Sequence, residues 1–86
     1  MTDPIYEWDA AKAEQNLAKH GVPFDLVERF DWRTAIEAED IRYDYGETRM
    51  QAVGTIDGRY HVLVYAWRGD PIRVISLRKA NRRERP

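Results

Sequence analysis

Asp57-Gly58 sets the centre of the fold, because an Asp-Gly pair between two strand-like runs is a strong signal for a β-hairpin closed by a two-residue type I′ turn. Such a turn needs positive φ at both central residues, which aspartate tolerates and glycine adopts without strain. The flanking runs, Thr48 to Ile56 and Arg59 to Trp67, are rich in β-branched and aromatic residues. Fixing the turn fixes the register: Gly54 faces His61, Ala52 faces Leu63, Met50 faces Tyr65 and Arg49 faces Ala66. Arg68-Gly69-Asp70-Pro71 then turns the chain into a third strand, Ile72 to Leu77. With a four-residue turn there, His61, Leu63, Tyr65, Ile72, Val74, Ser76 and Arg78 share one face of the sheet. Arg49, Gln51, Val53, Val62, Val64, Arg73, Ile75 and Leu77 share the other. The 59 to 67 strand is apolar at nearly every position, so it belongs at the centre with both faces covered, at least in part by helices.

The helices come earlier. Asp9 is suited to an N-cap, Ala10, Ala13 and Leu17 form an apolar face, and Gly21 supplies a stop, giving a helix of about ten residues. Pro23 fits the first position of a second, shorter helix in which Phe24, Val27 and Phe30 recur at threes. Ile5 to Trp8 and Thr34 to Glu39 read as short strands, and Ala80 to Arg85 as the start of a short C-terminal helix. Helices segregated from a run of strands make an α+β fold: an N-terminal strand, two helices, an antiparallel β-meander and a short C-terminal helix. With 86 residues, positions 1 to 86 form one domain.

Composition removes whole classes of chemistry. Without cysteine there are no disulfides, thiolate nucleophiles or cysteine-bound metals, which suits a reducing cytoplasm. The longest apolar run, Val62 to Trp67, is far short of the roughly 20 residues that span a bilayer, and the acidic start is unlike a signal peptide. The net charge of -1 hides a strong asymmetry: residues 1 to 58 carry six Lys/Arg against thirteen Asp/Glu, residues 59 to 86 eight against two. A basic C-terminal third attracts polyanions even in a nearly neutral molecule. Arg73 among Val64, Ile75 and Leu77 must either pair with a carboxylate such as Glu47 or open onto an anion-binding surface.

The stretch Tyr6-Glu7-Trp8-Asp9, Lys12-Ala13, Asn16-Leu17, Lys19-His20-Gly21-Val22 and Phe24 resembles the opening of BrnT toxins. The likeness continues through Gly46-Glu47, Arg49, Ala52, Gly54, Gly58-Arg59, Val64-Tyr65 and Arg68-Gly69-Asp70. It closes with Ile72-Arg73, Ile75-Ser76, Arg78, Ala80 and Arg83-Glu84-Arg85, so it spans nearly the whole chain. The resemblance implies a RelE-like fold and a cytoplasmic endoribonuclease toxin that arrests growth by cleaving RNA. It also implies a cognate BrnA-like antitoxin with a ribbon-helix-helix part that neutralises the toxin, operator DNA being reached only through that antitoxin. A non-catalytic module of the same fold, binding RNA or antitoxin, is the alternative.

Metal-independent RNA cleavage requires a base for the ribose 2′-OH, fixed positive charge at the phosphate and an acid for the 5′-oxygen. Arg49, Arg73 and Arg78 lie on strands, where positioning is rigid, and their planar forks suit phosphate. His20 sits at a helix C-terminus, whose negative end favours the imidazolium, so it serves as acid or base. Glu47 is the carboxylate alternative for the base, with Glu84 better suited to anchoring nearby arginines. Lys19, Tyr65, Arg68, Lys79, Arg82, Arg83 and Arg85 complete the candidate RNA surface, Tyr65 by stacking a base and the C-terminal cations by contacting RNA backbone or antitoxin. His61 reads as packing. With no Walker, dinucleotide-binding, zinc or nucleophile-elbow pattern, neither a metal nor a cofactor is expected.

Overall fold

The computed structural model describes residues 4–67 and 71–86. Arg68 and most of the proposed 68 to 71 turn lie outside the described residues.

Helix α1 is Ala10–His20. Asp9 Oδ1 accepts hydrogen bonds from the amides of Ala11 and Lys12 at 2.8 and 3.1 Å, satisfying donors that the first helical turn leaves unpaired. Gly21, at φ 70°, ends the helix in the left-handed conformation, its amide donating to the Leu17 carbonyl. The second helix is a 3₁₀ helix, Phe24–Arg29, with Pro23 just before it instead of at its first position. A 3₁₀ helix has three residues per turn, so the spacing of Phe24 and Val27 places both on one buried face. Phe30 already belongs to the next strand.

Five strands follow the order β1-β5-β4-β3-β2, where β1 is Tyr6–Glu7, β2 Phe30–Glu39, β3 Arg49–Ile56, β4 Arg59–Ala66 and β5 Ile72–Lys79. Strands β2 to β5 pair antiparallel in chain order, and β1 adds to β5 in parallel, so the sheet is mixed and not the purely antiparallel meander expected. The β3–β4 register holds at all four expected pairs, with Asp57 and Gly58 at φ 51° and 81°. β2 begins four residues before the expected Thr34 and contains an irregularity between Asp31 and Ile36. The Thr34 hydroxyl bridges it, donating to the Asp31 carbonyl and accepting the Thr55 amide at 2.7 and 2.9 Å.

β5 departs from expectation in a way that matters. Tyr65 pairs with Val74 and Ala66 with Arg73, but Val64 pairs with Ser76 and Val62 with Arg78, leaving Ile75 as the extra residue of a bulge. The bulge moves Leu77 to the core face and carries Arg78 to the opposite one. Thus Arg49, Arg73 and Arg78 all lie on a single face.

Val22, Phe24, Val27, Ala52, Ile56, Leu63, Tyr65, Val74 and Leu77 form the core on the other face, with Trp8 and Ala13 packed against it. Trp8 meets Phe24, and Trp32 meets both Phe30 and Tyr65, all edge to face. The helices cover this face alone, so β4 is central but not covered by helices on both sides. The arginine face is lined by partly exposed side chains, although Val62 and Ala66 in the central strand are wholly shielded by their neighbours. No C-terminal helix forms. Residues 82–84 make only a turn, in which the Asn81 amide donates to Glu84 Oε1 and the Glu84 amide to Asn81 Oδ1.

Candidate active site

Asn16 ties α1 to the edge of β5. β1 pairs with β5 only at Ile72 and Arg73, so further along the edge the backbone of Leu77 would be unpaired. The buried Asn16 side chain takes the place of a strand there: Nδ2 donates to the Leu77 carbonyl at 2.7 Å and Oδ1 accepts the Leu77 amide at 3.2 Å. Nδ2 also donates to Val22 O at 3.0 Å, fixing the chain just after the helix. His20, at the last turn of α1, is thereby set beside β5, in a groove that it lines with Lys12, Gln15, Lys19, Ile75 and Ser76.

Partial burial, and then the positive charges of Lys19 and Arg78, lower the His20 pKa below the ordinary 6.5. This shift favours the uncharged imidazole over the imidazolium. Arg78 forks onto Glu84, with Nη1 to Oε1 at 2.7 Å and Nη2 to Oε2 at 2.6 Å. That bidentate bond holds the Glu84 carboxyl at about 2. The same contact anchors the tail carrying Arg82, Arg83 and Arg85, all three exposed.

The other two strand arginines have looser partners. Arg73 reaches Glu7 at 3.7 Å, not Glu47. Arg49 lies 3.9 Å from Glu47, with the Tyr45 ring 4.1 Å from its guanidinium carbon. Its Nε atom is buried and has no hydrogen-bond partner. Tyr45 belongs to the loop 40–48, held at its base by Asp40, which accepts from Arg42 at 2.9 Å and from Tyr45 at 3.1 Å. These bonds keep the Asp40 carboxyl well below the usual range. The Tyr45 ring against Arg49 brings this loop to the arginine face.

The arrangement sets Arg49 and Glu47 at one end of the face, with Arg73 in register across Ala66, and His20 and Lys19 in the β5-edge groove, with Arg78 five residues beyond Arg73. It does not include Tyr65, which is 3% exposed within the core and donates its hydroxyl to Glu37; burial, then that bond, raise its pKa. A ring enclosed there cannot stack on a base. Lys79 is exposed on the side of His61, away from Arg78. His61 is packing, as expected, its Nδ1 donating to the Arg59 carbonyl at 2.8 Å. Arg42, Tyr45, Lys12 and Ser76 were not anticipated. The signal available for Tyr45 was the Tyr43-Asp44-Tyr45-Gly46 sequence, two aromatics in a loop rich in charged residues.

A small α+β domain presenting three arginines from two strands, with a histidine at the sheet edge, has the equipment of a protein that engages phosphodiesters. The family model described as "Ribonuclease toxin, BrnT, of type II toxin-antitoxin system" matches residues 8–84, and the chain belongs to that family. Membership implies an antitoxin partner. No curated protein sequence matches the chain. Among the described residues no helix is long and apolar enough to cross a membrane.

Proposed function

We propose that this protein is a RelE-like endoribonuclease toxin that cleaves RNA without a metal ion, its cleft lying on the arginine face. The observation that carries the reading is the placement of Arg49, Arg73 and Arg78 on one face, with His20 in the groove at the β5 edge beside Ser76. His20 takes the proton of a ribose 2′-OH, and the 2′-oxygen attacks the adjacent phosphorus. Arg49 and Arg73 stabilise the charge that develops on the phosphoryl oxygens, and the 5′-oxygen leaves with a proton from the resulting imidazolium or from water. The product is a 2′,3′-cyclic phosphate and a free 5′-hydroxyl.

A BrnA-like ribbon-helix-helix antitoxin is the proposed partner, with operator DNA reached only through it, and the cytoplasm the proposed site of action. Incubation of the purified protein with RNA in excess EDTA, followed by analysis of the product ends, tests the chemistry. Cyclic phosphate ends support it, and 5′-phosphate ends contradict it. A second reading is favoured by the carboxylate partner that each strand arginine already has: the same face then binds RNA or antitoxin without cleaving. Intact RNA after incubation with folded protein selects that reading.

A further inference from the structure

At the hairpin end of the sheet a second groove is lined by Gly58, Arg59, Tyr60, Ala80, Arg82 and Arg85. Its two walls are joined by the Ala80 amide, which donates to the Tyr60 carbonyl at 3.0 Å. Tyr60 has the same face parity in β4 as Val62 and Ala66, so it continues the arginine face; Val62 pairs with Arg78. Two residues of strand, roughly 7 Å, separate the Arg78 position from the groove. The tail that brings Arg82 and Arg85 there is held by the Arg78–Glu84 fork and by the reciprocal Asn81–Glu84 bonds. Unlike Arg78, the guanidinium groups of Arg59, Arg82 and Arg85 are exposed and have no carboxylate bound to them among the described residues.

We propose that this groove is an RNA-backbone exosite, resting on the reading of the arginine face as an RNA-cleaving site. It would hold the strand next to the cleaved phosphate by contacts to two or three neighbouring phosphates. Three unneutralised guanidiniums beside one aromatic ring suit a single-stranded polyanion, whose phosphates they neutralise and one of whose bases the ring can stack. A protein partner is less well matched. The large exposed apolar side chains that would anchor one, Ile5, Leu17, Ile36, Ile41, Tyr43 and Trp67, are all absent from the lining of this groove. The exosite binds substrate and takes no part in bond cleavage, so it acts on affinity and KM.

The test compares the full-length protein with an Arg59→Ala/Arg82→Ala/Arg85→Ala variant, using fully 2′-O-methylated oligouridines that cannot be cleaved. A strand of about twelve nucleotides should bind the variant at least tenfold more weakly, while a dinucleotide binds both proteins alike, and the salt slope should fall by about two for three lost contacts. Loss of antitoxin binding with unchanged oligouridine affinity assigns the groove to the protein partner and overturns the proposal. Because binding is read without cleavage, a groove that binds RNA in a protein with no nuclease activity leaves the exosite standing and removes the enzyme reading alone. Should the triple variant melt early, amide shifts of Arg59, Tyr60 and Ala80 in the wild-type protein titrated with the long oligouridine decide the matter. Their movement supports the exosite, and their constancy at saturation overturns it.

Discussion

Asn16 of α1 bonds both backbone groups of Leu77 in β5, at 2.7 and 3.2 Å, so that a side-chain amide does the work of a neighbouring strand where β1 has ended. Removing it leaves a buried amide and carbonyl without partners. Asn16→Ala should destabilise the fold by about 2–4 kcal/mol, read as a shift in denaturant midpoint at unchanged slope. Asn16→Asp should also be costly, since a carboxylate cannot donate to the carbonyls of Val22 and Leu77. Full stability in both variants would show that α1 is held by other means.

Gly54 is required by proximity, not by backbone conformation. A Cβ built there would lie 2.7 Å from the tip of the Phe30 ring and 3.3 Å from the Ala35 Cα. Gly54→Ala should therefore destabilise by about 1–3 kcal/mol. In a Phe30→Leu background, where the ring is gone, the same substitution should cost markedly less. Additive effects in the double-mutant cycle would contradict the contact.

The lowered pKa of His20 gives the reaction a pH signature. If neutral His20 is the base, kcat/KM rises with pH and levels off above the histidine pKa, with its acidic limb centred below 6.5. Lys19→Met removes one of the charges that disfavour the imidazolium, so the limb should move upward. A limb unmoved by Lys19→Met and retained in His20→Gln would assign it to another group.

The Arg78–Glu84 fork should make stability acid-sensitive. The folded-state Glu84 carboxyl titrates at about 2 against an ordinary 4.5, so its stabilisation is present above about pH 4.5 and is lost as pH falls towards 2. Both side chains keep some solvent exposure, 32% and 22%, which reduces the effect to about 1 kcal/mol. Denaturant titrations from about pH 6 to about pH 3 should show a shallower loss in Glu84→Gln than in wild type. Identical slopes would indicate that the fork is not populated in solution.

The hairpin could be read because Asp57-Gly58 dictates the number of turn residues, and that number alone sets the pairing of β3 with β4. The β5 bulge could not. Alternation places residues on faces only while no residue is inserted, and Val74-Ile75-Ser76-Leu77 contains nothing to mark Ile75 as the extra one. The expected separation of Arg78 from Arg49 and Arg73 failed for that reason, although all three were recognised as site candidates. Tyr65 was correctly placed opposite Met50 but was given a surface role, because neither the Trp32 ring that encloses it nor the early start of β2 was visible from spacing. The contact of Tyr45 with Arg49 joins a loop without periodicity to a strand, and only the folded chain brings them together.

RNA cleavage in excess EDTA by wild type and by Arg49→Ala tests the central claim most directly, provided the variant first shows wild-type melting and antitoxin binding. The arginine-face account predicts that wild type cleaves, leaving 2′,3′-cyclic phosphate ends, and that Arg49→Ala is slower by roughly a hundredfold, the loss expected on removing a preorganised donor to the phosphate. Undiminished cleavage by folded Arg49→Ala, or no cleavage by wild type until a divalent metal is restored, would contradict it.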